Sequence, residues 1–393
     1  MITRESLYLK RMQKLRMTMR DMGVPALLVV DSVNILYATG ASNMTIFSTR
    51  TPARYLLLFA EGPAILFDYF GCEHLADGLP TIDQILPARG LCFVSANGQI
   101  EESAKALAKD IQGIMKEYVA NETRLAVDRF PFSVIDTLRS VGFQLSDADR
   151  VFSSARRSKL PEEIEYMSEA MRRVENAVSH FEAAIEPGKT ETEVWGTFHQ
   201  HLIASSGQYV STRLMQTGTN TFPYFQQCDS RTLEPGDLVC LDTDSIGLEG
   251  YAVDFSRTFL CGDKKPTAEQ IGLYQRAKDQ LDHNVDLIRS GSSFEEIATK
   301  AWPIPEEHRD SRYYCIGHGL GMSGEFPNIP FKSNTAPYPI TGAVEPGMIL
   351  CIESYIGSKT AQQGVKLEQQ LLVEEHGTKV MSQSKFHDQL QGY

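Results

Sequence analysis

Three aspartates, Asp242, Asp244 and Asp254, crowd one short stretch of the chain. The apolar run 238–241 follows Pro235-Gly236-Asp237 and reads as a turn leading into a buried strand. Residues two apart on a strand share a face, so Asp242 and Asp244 are expected to leave the sheet side by side. Gly247 and Gly250 mark a turn, and residues 251–255 read as a return strand that sets Asp254 opposite the first two. Crowded carboxylates repel and raise one another's pKa values, a cost that a divalent cation removes. A solvated acidic loop is the plain alternative. These acids stand at the ends of apolar strands, which favours a metal site.

Three further positions share that character. His318 lies in Gly317-His318-Gly319-Leu-Gly321, where flanking glycines give room for close approach, and a neutral imidazole suits a first-row transition metal. Glu353 ends the apolar strand opened by Glu345-Pro-Gly347, and Glu368 lies inside the apolar run 365–373. A Glu in a buried strand is costly unless it is paired or metal-bound. Cys240 and Cys351 each precede an acid by two positions and share its strand face; they read as small buried residues without a ligand role. His199 and His201, two apart on a predicted helix, point to different faces and are not paired as ligands.

The elements that must carry these residues divide into two sets. In residues 1–153, strands alternate with helices: a helix over 4–22, strands over 26–31, 35–38, 54–59 and 64–67, a long helix over 99–119, a strand over 124–128 and a helix over 132–141. No constellation with chemistry in it lies there; Cys72, Glu73 and His74 read as surface or packing residues. Residues 153–158 are polar and basic, a candidate linker. Pro161-Glu162-Glu163 then opens a helix, with acids against its positive end. Another helix runs over 267–289.

With 393 residues, the chain is long for one core, and two domains are expected. A net charge of −12 argues against nucleic acid or an anionic membrane as partner. The chain opens on a charged amphipathic helix and has no run of 18 apolar residues, so neither a signal segment nor a membrane span is expected. Seven scattered cysteines without Cys-x-x-Cys suit free thiols in a reducing cytoplasm.

Taken together, Arg157-Ser-Lys159-x-Pro161-Glu-Glu163, Gly250-Tyr-x-x-Asp254-x-x-Arg257-Thr258, Gly317-His318-Gly-x-Gly321, Glu345-Pro-Gly347-Met348 and the Glu353/Glu368 pair resemble the pita-bread metalloenzymes: prolidase, aminopeptidase P, methionine aminopeptidase and creatinase. The resemblance covers nearly the whole chain. It implies an α+β architecture of two domains, a creatinase-type α/β domain over 1–153 and a pita-bread catalytic domain over 154–393 with a curved antiparallel sheet. It also implies a homodimer and two divalent metal ions held by Asp242 or Asp244 together with Asp254, His318, Glu353 and Glu368. Arg257 would orient a ligand carboxylate from behind.

Departures from the peptidase pattern matter for function. Peptidases carry one Asp eleven before the second, where this chain has Asp242-Thr243-Asp244. They carry a His where Tyr224 stands, and a second His after the Gly-His-Gly motif, where this chain reads Ser323-Gly324-Glu325. The Asp-Thr-Asp arrangement and Tyr224 resemble the branch containing the iron-dependent dimethylsulfoniopropionate lyases. That implies that both Asp242 and Asp244 serve as ligands. It also implies iron, with manganese, cobalt or zinc as alternatives, and β-elimination on a small carboxylate-bearing substrate. Those lyases place an Asp base at Gly324; Glu325 is the adjacent substitute. Tyr224, Phe225 and Trp302 are candidates for a cation-binding wall, with core packing preferred for Trp302. The alternative is an Xaa-Pro metallohydrolase with Glu353 as general base. A non-catalytic binding module with this fold is a third reading, disfavoured by the intact ligand set.

Overall fold

The computed structural model describes residues 2–52, 54–334 and 339–392. It divides into two compact units, Met1–Arg156 and Arg157–Tyr393. The first is built on a six-stranded mixed sheet in the order Gln84–Pro87, Ala64–Asp68, Tyr55–Phe59, Ala26–Val29, Arg124–Val127, Gln144–Asp147. The three strands Ala26–Val29, Tyr55–Phe59 and Ala64–Asp68 are buried at every residue, which is why they are written as apolar runs, broken only by Asp68, which pairs with Arg54. The helix Ile100–Val119 buries Ala104, Leu107, Ala108, Ile111 and Met115 at helical spacing.

Two local expectations fail in this unit. Residues 35–38 are not a strand; they lie within the helix Ser32–Thr39. The Asp31 carboxylate accepts from the backbone N–H groups of Val33 and Asn34 at 2.9 and 3.1 Å, and Gly40, at φ 82°, closes the other end. A four-residue apolar run is compatible with either element, and the caps decide it. Residues 153–156 are not a linker either. They finish the helix Asp149–Arg156, which buries Val151, Phe152 and Ala155.

The second unit opens with the helix Pro161–Ala183, where the Glu163 carboxylate reaches back to the Leu160 N–H at 2.9 Å. Helices Glu191–Ala204 and Ala268–Leu287 each start from a threonine capping box, Thr190 with Glu193 and Thr267 with Gln270. The main sheet has five antiparallel strands in the order Gly324–Pro330, Cys315–Leu320, Ile349–Ser358, Gln363–Glu374, Gly377–Val380. A second sheet pairs Ser256–Leu260, Leu238–Asp242 and Met215–Thr217, and a small third one pairs Ala252–Val253, Ser245–Ile246 and Tyr209–Val210.

The two long strands have divided loyalties. Ile352, Ile356, Val365, Leu367 and Leu371 pack with Leu273, Tyr274, Ala277 and Leu281 of the helix Ala268–Leu287 in one apolar core. Alternation therefore turns residues 351, 353, 355 and 366, 368, 370 to the opposite face. That face carries the site.

Candidate metal centre

Strand register assembles the centre. Glu353 pairs with Glu368, Cys351 with both His318 and Gln370, and Tyr355 with Lys366. Directly paired residues project on one side, so His318, Cys351, Glu353, Lys366 and Glu368 form one patch. In the second sheet Asp242 pairs with Ser256. The Ser256 hydroxyl lies 2.8 Å from both Asp242 Oδ1 and Glu368 Oε2, joining the two sheets. Asp254 enters with its backbone N–H donating to Gln370 Oε1 at 3.1 Å. His318 Nε2 lies 3.4 Å from Glu353 Oε1 and 3.7 Å from Asp254 Oδ2.

At the centre of the carboxylates is Lys366, fully buried. Its Nζ lies 2.6 Å from Glu353 Oε2, 3.0 Å from Glu368 Oε2, 3.4 Å from Asp242 Oδ2 and 2.6 Å from the Ser256 hydroxyl. Its ammonium also lies over the rings of Tyr224 and Tyr313. Sequence reasoning passed over Lys366, although it stands two before Glu368 in a strand and so must share its face.

The donor set fits a divalent metal. Among the described residues, Asp254 Oδ1 and Glu368 Oε1 are buried and have no hydrogen-bond partner. Buried carboxylate oxygens left alone are costly, and a cation between them removes that cost. Asp254, His318, Cys351 and Glu368 each offer a ligand atom within 4.8 Å of the other three. Burial, and then the neighbouring carboxylates, push the Asp254 and Glu368 carboxyls well above their usual range. Burial works against ionised Asp242 too, but the Lys366 ammonium and the Tyr224 and Ser256 hydroxyls hold it low. The metal-free centre thus keeps protons that an incoming ion displaces.

His318 yields a test of that exchange. Burial alone would lower its pKa, but the hydrogen bond and charge of Glu353, with the charge of Glu368, outweigh it and bring it to about 9. Its folded value lies above its ordinary 6.5, so its proton stabilises the metal-free fold fully below pH 6.5, and that contribution is lost as pH rises through about 9. Metal must displace the same proton. Metal affinity of the stripped protein should therefore climb with pH across the neutral range up to about pH 9, above which His318 no longer contributes to the rise. Calorimetric titration in buffers of different ionisation enthalpy would show the released proton; a flat affinity over that range contradicts this assignment.

The structure revises several expectations. Asp242 and Asp244 do not share a strand face, because the strand ends at Asp242 and Asp244 takes a left-handed backbone, φ 33°. Asp244 Oδ2 accepts from the Thr212 hydroxyl at 2.6 Å; burial and then Asp242 raise its pKa to about 7. Of the expected return strand over 251–255 only Ala252–Val253 forms, paired with Ser245–Ile246; the strand that returns beside Leu238–Asp242 is Ser256–Leu260. Arg257 does not hold a ligand carboxylate. Its guanidinium donates to the main-chain carbonyls of Glu368, Ser256 and Ser384, so it positions Glu368 through the backbone.

Glu325 is committed elsewhere. Its Oε2 accepts from Lys159 Nζ at 2.8 Å in a pair at most 3% exposed, and its Oε1 accepts from the Met322 N–H. To act as a base it would first have to abandon a buried ion pair. The Tyr224 hydroxyl donates to Asp242 Oδ2 at 2.5 Å. Burial, then Asp242 and Glu353, push that phenol well up, so it is a hydrogen-bond donor and not a base. Trp302 packs against the apolar core, as preferred from sequence, and His199 and His201 stack on Trp195 and His180.

Beside the carboxylates stands a group of rings. Tyr224 lies 4.5 Å from Phe225, 5.5 Å from Tyr313 and 4.8 Å from Tyr355 between centroids, and Tyr313 lies 4.8 Å from Tyr314. Phe225 and Tyr314 are each 50% exposed. Phe225 takes φ 71°, a left-handed conformation that costs on the order of 1–3 kcal/mol and tends to persist at functional sites.

A two-domain α+β chain with buried acids and one imidazole on an antiparallel sheet defines a metal-dependent enzyme of the pita-bread kind. The chain belongs to metallopeptidase family M24, whose model matches residues 165–375, and residues 11–158 match the creatinase/prolidase N-terminal domain. Among characterised sequences it is similar to dimethylsulfoniopropionate lyase DddP of Roseovarius nubinhibens, 28% identical over 387 residues, covering 97% of this chain and 87% of that protein. DddP of Roseobacter denitrificans is also 28% identical, over 94% of this chain and 84% of that protein. Among solved structures, prolidase from Thermococcus sibiricus superposes with a TM-score of 0.79 at 20% identity, covering 96% of this chain and 98% of that one. The likeness to prolidases at that identity is one of fold.

Proposed function

We propose that this protein is a metal-dependent lyase that cleaves the carbon–sulfur bond of dimethylsulfoniopropionate, or of a close zwitterionic analogue, by β-elimination. The observation that carries the reading is the ring group of Tyr224, Phe225, Tyr313 and Tyr314 standing against the carboxylate centre. A sulfonium is a diffuse cation that aromatic faces attract, while the other end of such a substrate is a carboxylate that suits a metal. The similarity to dimethylsulfoniopropionate lyases over nearly the whole chain supports the same choice.

Asp242, Asp244, Asp254, His318, Glu353 and Glu368 would hold the ions, iron by resemblance to the lyase branch. When bound, the metal supplies charge that fixes the substrate carboxylate and acidifies the α proton. Tyr224 stays protonated and keeps Asp242 oriented. The aromatic faces hold the sulfonium of one ordered substrate. The elimination breaks the α C–H and the C–S bonds and forms the carbon–carbon double bond as dimethyl sulfide leaves. The α proton passes to solvent water, since Glu325 and Tyr224 are both engaged. We place the enzyme in a reducing cytoplasm, which suits its seven free cysteines. A homodimer is expected by resemblance to the family.

The absent lyase Asp gives a test by gain. An added Cβ at Gly324 meets nothing within 4 Å. Gly324→Asp should fit and supply a base, raising dimethyl sulfide release by at least about tenfold, short of the 10²–10⁴ of an optimised general base. No gain would mean that the proton leaves by another route.

The deciding experiment is metal analysis of protein purified without added metal, followed by two assays on that sample: dimethyl sulfide from dimethylsulfoniopropionate by gas chromatography, and proline from an Xaa-Pro dipeptide. Bound iron with dimethyl sulfide release supports the lyase. Proline release without dimethyl sulfide would sink it in favour of the hydrolase, with Glu353 as its base.

A further inference from the structure

We propose that Cys351 is a metal ligand, its thiolate joining Asp254, His318 and Glu368 around one ion. The inference rests on the metal centre proposed above and is independent of the substrate. Cys351 is fully buried, yet it is no part of the apolar core that takes its neighbours Leu350 and Ile352. Strand alternation turns it to the face of Glu353, and register sets it directly opposite His318. Its Sγ lies within 4.8 Å of ligand atoms of Asp254, His318 and Glu368. An ion about 2.1 Å from N or O and about 2.3 Å from S holds two ligand atoms at most roughly 4.4 Å apart, and roughly 3.6 Å apart in a tetrahedral set, so closure asks the side chains to draw in by up to about an ångström.

The unpartnered Asp254 Oδ1 and Glu368 Oε1 point independently to a cation among these atoms. The thiol donates to the Asp254 backbone carbonyl at 3.5 Å, a weak contact that it can give up. Binding forms one metal–sulfur bond and releases the thiol proton to solvent; nothing is oxidised or reduced. A sulfur ligand biases an otherwise oxygen-rich site toward iron, cobalt or zinc and away from manganese and magnesium. Cys240 makes a useful contrast. It too precedes an acid by two positions, but its Sγ lies 3.3 Å from the Thr258 hydroxyl and 3.5 Å from the Gly364 carbonyl.

The test is spectroscopic and needs no turnover. Cobalt-loaded protein should show a near-ultraviolet thiolate-to-cobalt charge-transfer band that is lost in Cys351→Ser and kept in Cys240→Ser. X-ray absorption on the zinc-loaded, unmutated chain should show one sulfur scatterer, a reading that does not depend on any variant folding. Metal bound with only nitrogen and oxygen scatterers and no charge-transfer band overturns the thiolate ligand and leaves the metal centre standing. Failure to bind cobalt or zinc at all overturns both.

Discussion

Asp254→Asn is expected to strip the enzyme of metal and activity while making the metal-free fold more stable. The two effects have one cause. Asp254 sits among Asp242, Asp244, Glu353 and Glu368, and burial followed by their charges drives its own carboxyl well up. One of its oxygens has no partner, and the other lies 3.7 Å from His318 Nε2. An amide of nearly the same shape spares the metal-free protein the cost of protonating that buried carboxyl. It also removes the anionic ligand that Asp254 is proposed to supply to the ion. Loss of a mere outer partner of a ligand costs about 10–100-fold in metal affinity, so a loss of at least about 100-fold is expected here, with activity falling in step. Metal retained after dialysis, read beside urea unfolding of the stripped protein, checks both signs. A variant that keeps its metal, or is less stable when metal-free, contradicts the assignment.

Lys366→Met should do the reverse to stability. The ammonium is the cation shared by Asp242, Glu353 and Glu368, all buried. Breaking a buried ion pair from one side strands the other charge and costs about 3–5 kcal/mol. The sign with pH follows from Asp242, whose folded pKa is held below its ordinary 3.8 chiefly by Lys366 working against burial. In the unmutated protein that contribution is present above pH 3.8 and is lost only as acid takes the pH through the lower folded value. Without the lysine the centre must take up protons to stay buried, so the deficit, already present at pH 5, should grow toward pH 8. Added divalent metal should restore part of it. Urea unfolding at both pH values, with and without metal, measures this. A metal-free Lys366→Met protein as stable as the parent at pH 8 would mean that the lysine is not the counter-charge.

Which residues could be ligands was legible without coordinates, because a carboxylate written into an apolar strand is expensive and leaves its mark on the sequence. Glu368 between Leu367 and Gln369, and Glu353 after Cys351-Ile352, are marks of that kind. The helix starts at Pro161 and Thr267 were equally readable, since a cap is satisfied within three residues of itself. What escaped was whatever depends on a distant partner or on a single backbone angle. The helix over Ser32–Thr39 was mistaken for a strand because four apolar residues carry too little period. The left-handed turn at Asp244 has no sequence signature, and it breaks the alternation that seemed to pair Asp242 with Asp244.

Partners were decided by tertiary structure alone. Glu325 is taken by Lys159, 166 residues away, and so drops out of the acid–base chemistry. Lys366 meets Asp242 only because two sheets close on Ser256. Cys351 faces His318 only because register aligns them. Sequence by itself determined the family, the domains' character and the set of candidate ligands, since these follow from residue type and local burial. The assignment of each charge to its counter-charge belongs to the folded chain, because electrostatic pairing acts through space and takes no account of separation along the sequence.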